Sequence, residues 1–215
     1  MNIGIVSQWR NQGQATLSRH LRDALDALGH QTFVLARPTR EQHVLPGAID
    51  HSDVWAQPRV EDASRFEITS EEYLAWARKN SIEVCFFNQN YQFPQLKKLR
   101  DAGVKNVGYF VWESFEDSHV DKAREAYDVI YSLNGATQDR YTRLGVSSPL
   151  LFWGLHPELL AVKKTRREGV SFFFPGGLLG PRKPIRAVVE AFRAARGDEL
   201  RLVLKAQIDS PLAET

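Results

Sequence analysis

The chain has 215 residues, with 28 Lys plus Arg against 26 Asp plus Glu, 43% hydrophobic residues and one cysteine. A net charge of +2 gives no bulk field for nucleic acid or an anionic membrane, and the composition excludes disordered, collagenous and coiled-coil chains. At roughly 150 residues per domain the length is ample for one domain and short for two. Met1 to Val6 reads as a short strand that breaks into the polar stretch Ser7 to Gln14. Leu17, Leu21, Ala24, Leu25 and Leu28 recur at helical spacing up to a stop at Gly29. Thr32 to Ala36 is an apolar run suited to a strand covered on both faces. Residues 37–65 lack a period and are expected as loop, with one short strand near Val54-Trp55.

Alternation resumes with a helix start at Thr69 to Glu72 and the buried strand Ile82 to Phe87, where Cys85 reads as a small buried hydrophobe. Helices around Gln95 to Ala102, Ser118 to Ala126 and Thr137 to Leu144 alternate with strands Val107 to Trp112, Val129 to Leu133 and Leu150 to Trp153. Such alternation predicts a parallel α/β sheet with helices on both faces and ligands at the carboxyl ends of its strands. The stretch between His156 and Gly169 is charged and reads as a linker. The pattern then restarts with strand Val170 to Phe174, a turn through Gly176-Gly177, a helix from Lys183 to about Arg196 and strand Leu200 to Lys205.

From Lys163 onward there are 11 basic and 6 acidic residues, net +5, leaving 17 basic and 20 acidic, net −3, in residues 1–162. None of the six histidines stands at metal-ligand spacing from another or from Cys85. No apolar stretch reaches 18 residues and no signal segment opens the chain, so a cytoplasmic location is expected.

Three groups of residues could carry chemistry. Arg182-Lys183 opens a helix, with Pro184 in its first turn. Cations there oppose the helix dipole by roughly 0.3–1 kcal/mol each. The placement makes sense if an anion binds, and with Gly176 and Gly177 the pair describes a phosphate or diphosphate cradle; exposed solubilising charge is the plain alternative. The loop after the first strand holds Gln12, Gly13 and Gln14 but no G-x-G-x-x-G, which counts against a nicotinamide or flavin cofactor. Asn88-Gln89-Asn90 and Trp112-Glu113 follow two strands directly, where amides and an aromatic face suit a sugar, although amides also form turns. Glu113 could act as a base or orient a hydroxyl, and with no partner carboxylate orientation is the expected role.

Residues Phe172 to Pro184, with Val189-Glu190-Ala191-Phe192, resemble the start of the second domain of family-4 (group 1) glycosyltransferases of the GT-B fold. Gly29-His30-Gln31, Tyr131 to Asn134, Gly145 and Trp153 to His156 extend the resemblance over nearly the whole chain. It implies a Rossmann-like parallel sheet flanked by helices over 1–160, a hinge over 161–169, and an incomplete βαβ start of a nucleotide-sugar domain over 170–215. It further implies retaining, metal-independent transfer from a nucleotide-sugar, needing no cofactor beyond that co-substrate. The acceptor would be a glycan, a lipid-linked sugar or a small molecule. Arg182, Lys183, Gly176, Gly177 and Gly13 would hold donor phosphate, Gln12, Gln14, Asn88, Gln89, Asn90 and Trp112 would face the acceptor, and Glu113 would be the catalytic carboxylate.

Two departures stand out. Gly177 occupies the place where many relatives have Arg, and the family's E-x-x-x-x-x-x-x-E motif is not reached, so the chain is expected to be a fragment or short form with little activity alone. An unfinished sheet edge predicts self-association. A non-catalytic sugar-, nucleotide- or partner-binding module and a sugar-nucleotide epimerase of the same fold stay open as alternatives.

Overall fold

A computed structural model describes residues 1–38, 52–111, 114–152, 154–155, 157–163, 168–175, 184–195, 197 and 199–205. The chain divides into two compact units, Met1–His156 and Pro157–Thr215.

The first unit is built on a six-stranded, all-parallel sheet of order β3-β2-β1-β4-β5-β6. Its strands are β1 (Asn2–Ser7), β2 (Gln31–Ala36), β3 (Val60–Asp62), β4 (Val84–Asn88), β5 (Lys105–Tyr109) and β6 (Val129–Ile130). Between them run α1 (Gly13–Ala27), α2 (Ser70–Lys79), α3 (Phe93–Asp101), α4 (Asp117–Ala126) and, after β6, α5 (Gly135–Arg143). Successive strand residues point to opposite faces, and the sequence meets that demand with unbroken apolar runs. Ile5, Val34 and Phe86 enter a cluster under α1 with Leu17, Leu21 and Leu25, while Val6, Leu35 and Phe87 enter the cluster under α2, α3 and α4. The order reverses between β1 and β4, and at such a switch point the flanking loops diverge and leave a crevice at the carboxyl ends.

Several expectations are corrected. The short strand falls at Val60–Asp62, paired with Val34–Ala36, and not at Val54-Trp55. Trp55 is instead buried in a turn, edge-on to Trp9 at 5.4 Å between ring centroids, and its carbonyl accepts from Trp9 Nε1 at 2.8 Å. The strand expected over 107–112 lies at Lys105–Tyr109, because its register is set by Val84–Asn88 of β4. Among the described residues of the strand expected over 150–153, a single bridge forms, from Leu150 to Ser132. Ala24 and Leu28 do not share the buried stripe of α1; both are exposed. Arg22 takes the inward place, its Nε donating to Thr32 Oγ1 at 3.1 Å. Cys85 is buried, and burial pushes its thiol pKa well up.

In the second unit, α6 (Pro157–Ala161) precedes β7 (Val170–Pro175), α7 (Ile185–Ala195) and β8 (Leu200–Lys205). β7 and β8 pair in parallel, and the Phe172 ring meets Phe192 of α7 at 6.3 Å. Phe172 and Phe173 remain more than half exposed. Among the described residues no helix is long and apolar enough to cross a membrane.

Candidate functional site

The switch point is bordered by the β1–α1 loop and the β4–α3 loop. α1 begins at Gly13 with extended backbone at Gln12, no side-chain cap and no acidic residue in its first turn. The first amides of a helix have no intrahelical acceptor, so this end carries unneutralised partial positive charge. A Cβ placed on Gly13 would meet nothing within 4 Å, so the helix start is open beside it.

Three buried polar atoms at the end of β1 and in the loop after it have no hydrogen-bond partner: Ser7 Oγ, Arg10 Nε and Gln12 Nε2. Ser7 is only 2% exposed and follows Ile5 by two residues, which puts its side chain on the α1 face of the sheet. Gln12 Oε1 accepts from Arg10 Nη2 at 3.1 Å, and burial lowers the Arg10 pKa from its ordinary value. Orphaned buried donors are uncommon in folded proteins and ask for an explanation. A ligand carrying anionic oxygens or hydroxyls would satisfy all three.

The amides after β4 have different work. Asn88 Nδ2 donates to the Gln14 carbonyl at 2.8 Å and to Ser18 Oγ at 2.7 Å, and Asn88 Oδ1 accepts from the Tyr109 hydroxyl at 2.6 Å. The Gln89 side chain is hydrogen-bonded to that same hydroxyl, and burial raises the Tyr109 pKa. Gln89 itself sits in the left-handed region, φ 53. Asn90 is fully enclosed, its Nδ2 donating to Tyr73 Oη at 2.8 Å and its Oδ1 accepting from Gln92 N at 3.0 Å. Asn88 therefore fixes the first turn of α1 against β4, and Asn90 shapes the turn into α3.

Gln12, Gly13, Gln14 and Asn88 are thus brought to one place, at the start of α1. Trp112, Glu113, Gly176, Gly177, Arg182 and Lys183 lie outside the described residues. Sequence reasoning missed Ser7 and Arg10, because a single serine at a strand end carries no pattern until its burial is known.

No family model matches the chain, and no curated protein matches it. Solved structures do. Acinetobacter baumannii MurG aligns over 99% of this chain and 68% of its own at TM-score 0.57 and 12% identity. Anabaena HepE, in complex with UDP and glucose, aligns over 94% and 60% at TM-score 0.60 and 12% identity. The spinosyn rhamnosyltransferase SpnG, complexed with thymidine diphosphate, aligns over 96% and 65% at TM-score 0.54 and 13% identity. The fold is that of the GT-B glycosyltransferases. The chain spans between 60% and 68% of the length of these three.

Proposed function

We propose that the chain takes part in glycosyl transfer from a nucleotide-sugar to a hydroxyl acceptor, with the retaining, metal-independent chemistry of the family-4 enzymes it resembles. The observation that carries this reading is the set of orphaned donors, Ser7 Oγ, Arg10 Nε and Gln12 Nε2, beside an uncapped helix start at the switch point. Neighbouring structures of this fold were solved with UDP and glucose and with thymidine diphosphate, which supports a nucleoside diphosphate as the donor's leaving group.

In this reading Arg182 and Lys183 neutralise the diphosphate as the glycosidic bond to it breaks. Two charge-assisted contacts to a leaving group supply several kcal/mol of transition-state stabilisation, of the order that removing an oxyanion donor costs. Glu113 orients a hydroxyl of the bound sugar.

Calorimetric titration of the whole chain with UDP and with TDP tests it. Binding is expected for at least one of them, weakened about tenfold or more by Arg182→Ala, by Lys183→Ala and by Arg10→Ala. No binding to either, or equal affinity in parent and variants, would overturn the reading. Release of radiolabelled sugar from the donor in the presence of an acceptor distinguishes a transferase from a binding module.

A further inference from the structure

α4 opens on a reciprocal cap in which one partner titrates. Its N-cap residue Glu116 has extended backbone, and the Glu116 N–H donates to His119 Nδ1 at 3.1 Å, while the Glu116 side chain reaches the His119 backbone N–H in return. The third helical position of such a box is ordinarily Glu or Gln, whose side-chain oxygen goes on accepting at neutral pH. An imidazole differs. Nδ1 accepts only in the neutral ring with its proton on Nε2, because both nitrogens of the imidazolium are donors.

The ring is held from several sides. It is half-buried, its centroid 5.2 Å from that of Tyr91 in the β4–α3 turn, 5.9 Å from Phe93 in α3 and 5.8 Å from Phe115 in the β5–α4 loop. That loop is anchored independently of the cap. From α5, Tyr141 Oη donates to the Phe110 carbonyl at 2.9 Å and Arg140 Nη2 to the Phe115 carbonyl at 3.0 Å. A bond lost at Nδ1 therefore frees the first turn of α4 and leaves these ties to α5 in place.

Opposing charges meet at the ring. Among the described residues, Glu116 and Asp117 stand at the same helix start, and their carboxylates draw a proton towards His119. The unbonded N–H groups of that turn oppose a cation, as does the cap bond itself. α5 contributes the Arg140 guanidinium at the Phe115 carbonyl. α3 contributes Lys97, paired with Asp101 at 2.9 Å, and Arg100, paired with Asp128 at 3.0 Å. The Tyr91 phenol, pushed up to about 12 by burial, adds no charge at neutral pH. Imidazole is the side chain that ordinarily changes charge between about pH 5 and 8.

We propose that His119 is a proton-operated catch at the head of α4: the neutral ring accepts from the Glu116 N–H and closes the first turn, and the imidazolium releases that N–H and opens it. The proton goes to Nδ1, the atom that makes the bond, so charging and release are one event. The catch goes beyond the proposed transfer and does not rest on it. Because α4 follows the carboxyl end of β5, it makes the order of that part of the sheet's rim depend on pH.

Backbone amide exchange measured by NMR on the whole chain, beside the His119 Hε1 resonance, tests it between about pH 8 and 5.5. Protection of the Glu116 N–H, corrected for the intrinsic pH dependence of exchange, should fall about fivefold as the ring takes up its proton, the change that loss of one hydrogen bond brings. The Glu72 N–H caps α2 by donating to the Thr69 hydroxyl at 3.2 Å, an acceptor that does not titrate, and its protection should stay flat. In His119→Gln, whose amide oxygen accepts in either condition, Glu116 protection should no longer follow pH. A ring that stays neutral throughout, Glu116 protection that stays flat while the ring titrates, an equal fall at Glu72, or an equal fall in His119→Gln would overturn the proposal.

Discussion

At Gly29, Gly103 and Gly145 the backbone leaves a helix through the left-handed region, with φ of 83, 96 and 67. Each exit makes the same pair of bonds. At the end of α1 the Gly29 N–H reaches the Asp26 carbonyl at 3.0 Å and the His30 N–H reaches Leu25 at 3.1 Å, closing the last turn and aiming the chain into β2. Ser81 does this work after α2 with φ 49, its N–H on Arg78 and the Ile82 N–H on Ala77. A side chain in this conformation costs about 1 kcal/mol relative to glycine. The substitutions should therefore have opposite signs. Gly29→Ala, where the added Cβ would meet nothing within 4 Å, is expected to lower unfolding stability by about 1 kcal/mol. Ser81→Gly is expected to raise it by roughly 0.5 kcal/mol, the strain relieved being partly offset by greater freedom of the unfolded chain. Urea unfolding followed by far-UV circular dichroism measures both, and equal signs would show that strain at this position does not govern the turn.

Among elements, β3 shows how little of a short edge strand is written locally. Val60-Glu61-Asp62 has a single apolar residue and no alternation, and it is a strand only because Val34–Ala36 pairs with it. Glu61 then ties it to the end of α2, accepting from Lys79 Nζ at 2.6 Å and from Asn80 Nδ2 at 3.1 Å. Burial pushes the Glu61 pKa up, but these partners outweigh it and hold the carboxyl below its ordinary 4.5. A depressed folded-state pKa means that the clasp contributes above the unfolded value and is lost as pH falls through the folded one. Stability should thus fall below pH 4.5, and Glu61→Gln should flatten that part of the profile while leaving the remaining acid transition. An unchanged profile in the variant would remove Glu61 from the acid response. The long elements were legible because periodicity records burial: Leu17, Leu21 and Leu25 do face the sheet, and the apolar runs of β1, β2 and β4 are covered on both sides. The switch point was legible too, since the alternation of elements alone places the loops after β1 and β4 at the carboxyl ends of the sheet. The hydrogen bonds of its amides were not. Asn88 bonds to Gln14 and Ser18, 74 and 70 residues earlier, and no local pattern announces partners so distant in sequence.

Across the whole molecule, the six-stranded sheet and both buried clusters are supplied by Met1–His156. Among the described residues, β1 to β6 pair within that unit, and β7 and β8 pair with each other. A parallel sheet is stable when both faces are covered, and here α1 covers one face while α2, α3 and α4 cover the other. The described residues of Pro157–Thr215 form one βαβ unit, whose strand residues Val170, Phe172 and Phe173 are more than half exposed. Small units bury a lower fraction of their surface and are correspondingly marginal. Residues 1–156 produced alone are therefore expected to unfold in one cooperative transition, with a midpoint within about 4 °C of the main transition of the whole chain, a shift equivalent to roughly 1–2 kcal/mol for a domain of this size. Residues 157–215 alone should show no such transition. Affinity of residues 1–156 for nucleoside diphosphate should fall, because Arg182 and Lys183 are removed. Differential scanning calorimetry and titration with UDP and TDP measure these outcomes together. A broad, non-cooperative melt of 1–156 would show that the sheet depends on chain beyond His156, and undiminished nucleotide affinity would remove Arg182 and Lys183 from the donor site.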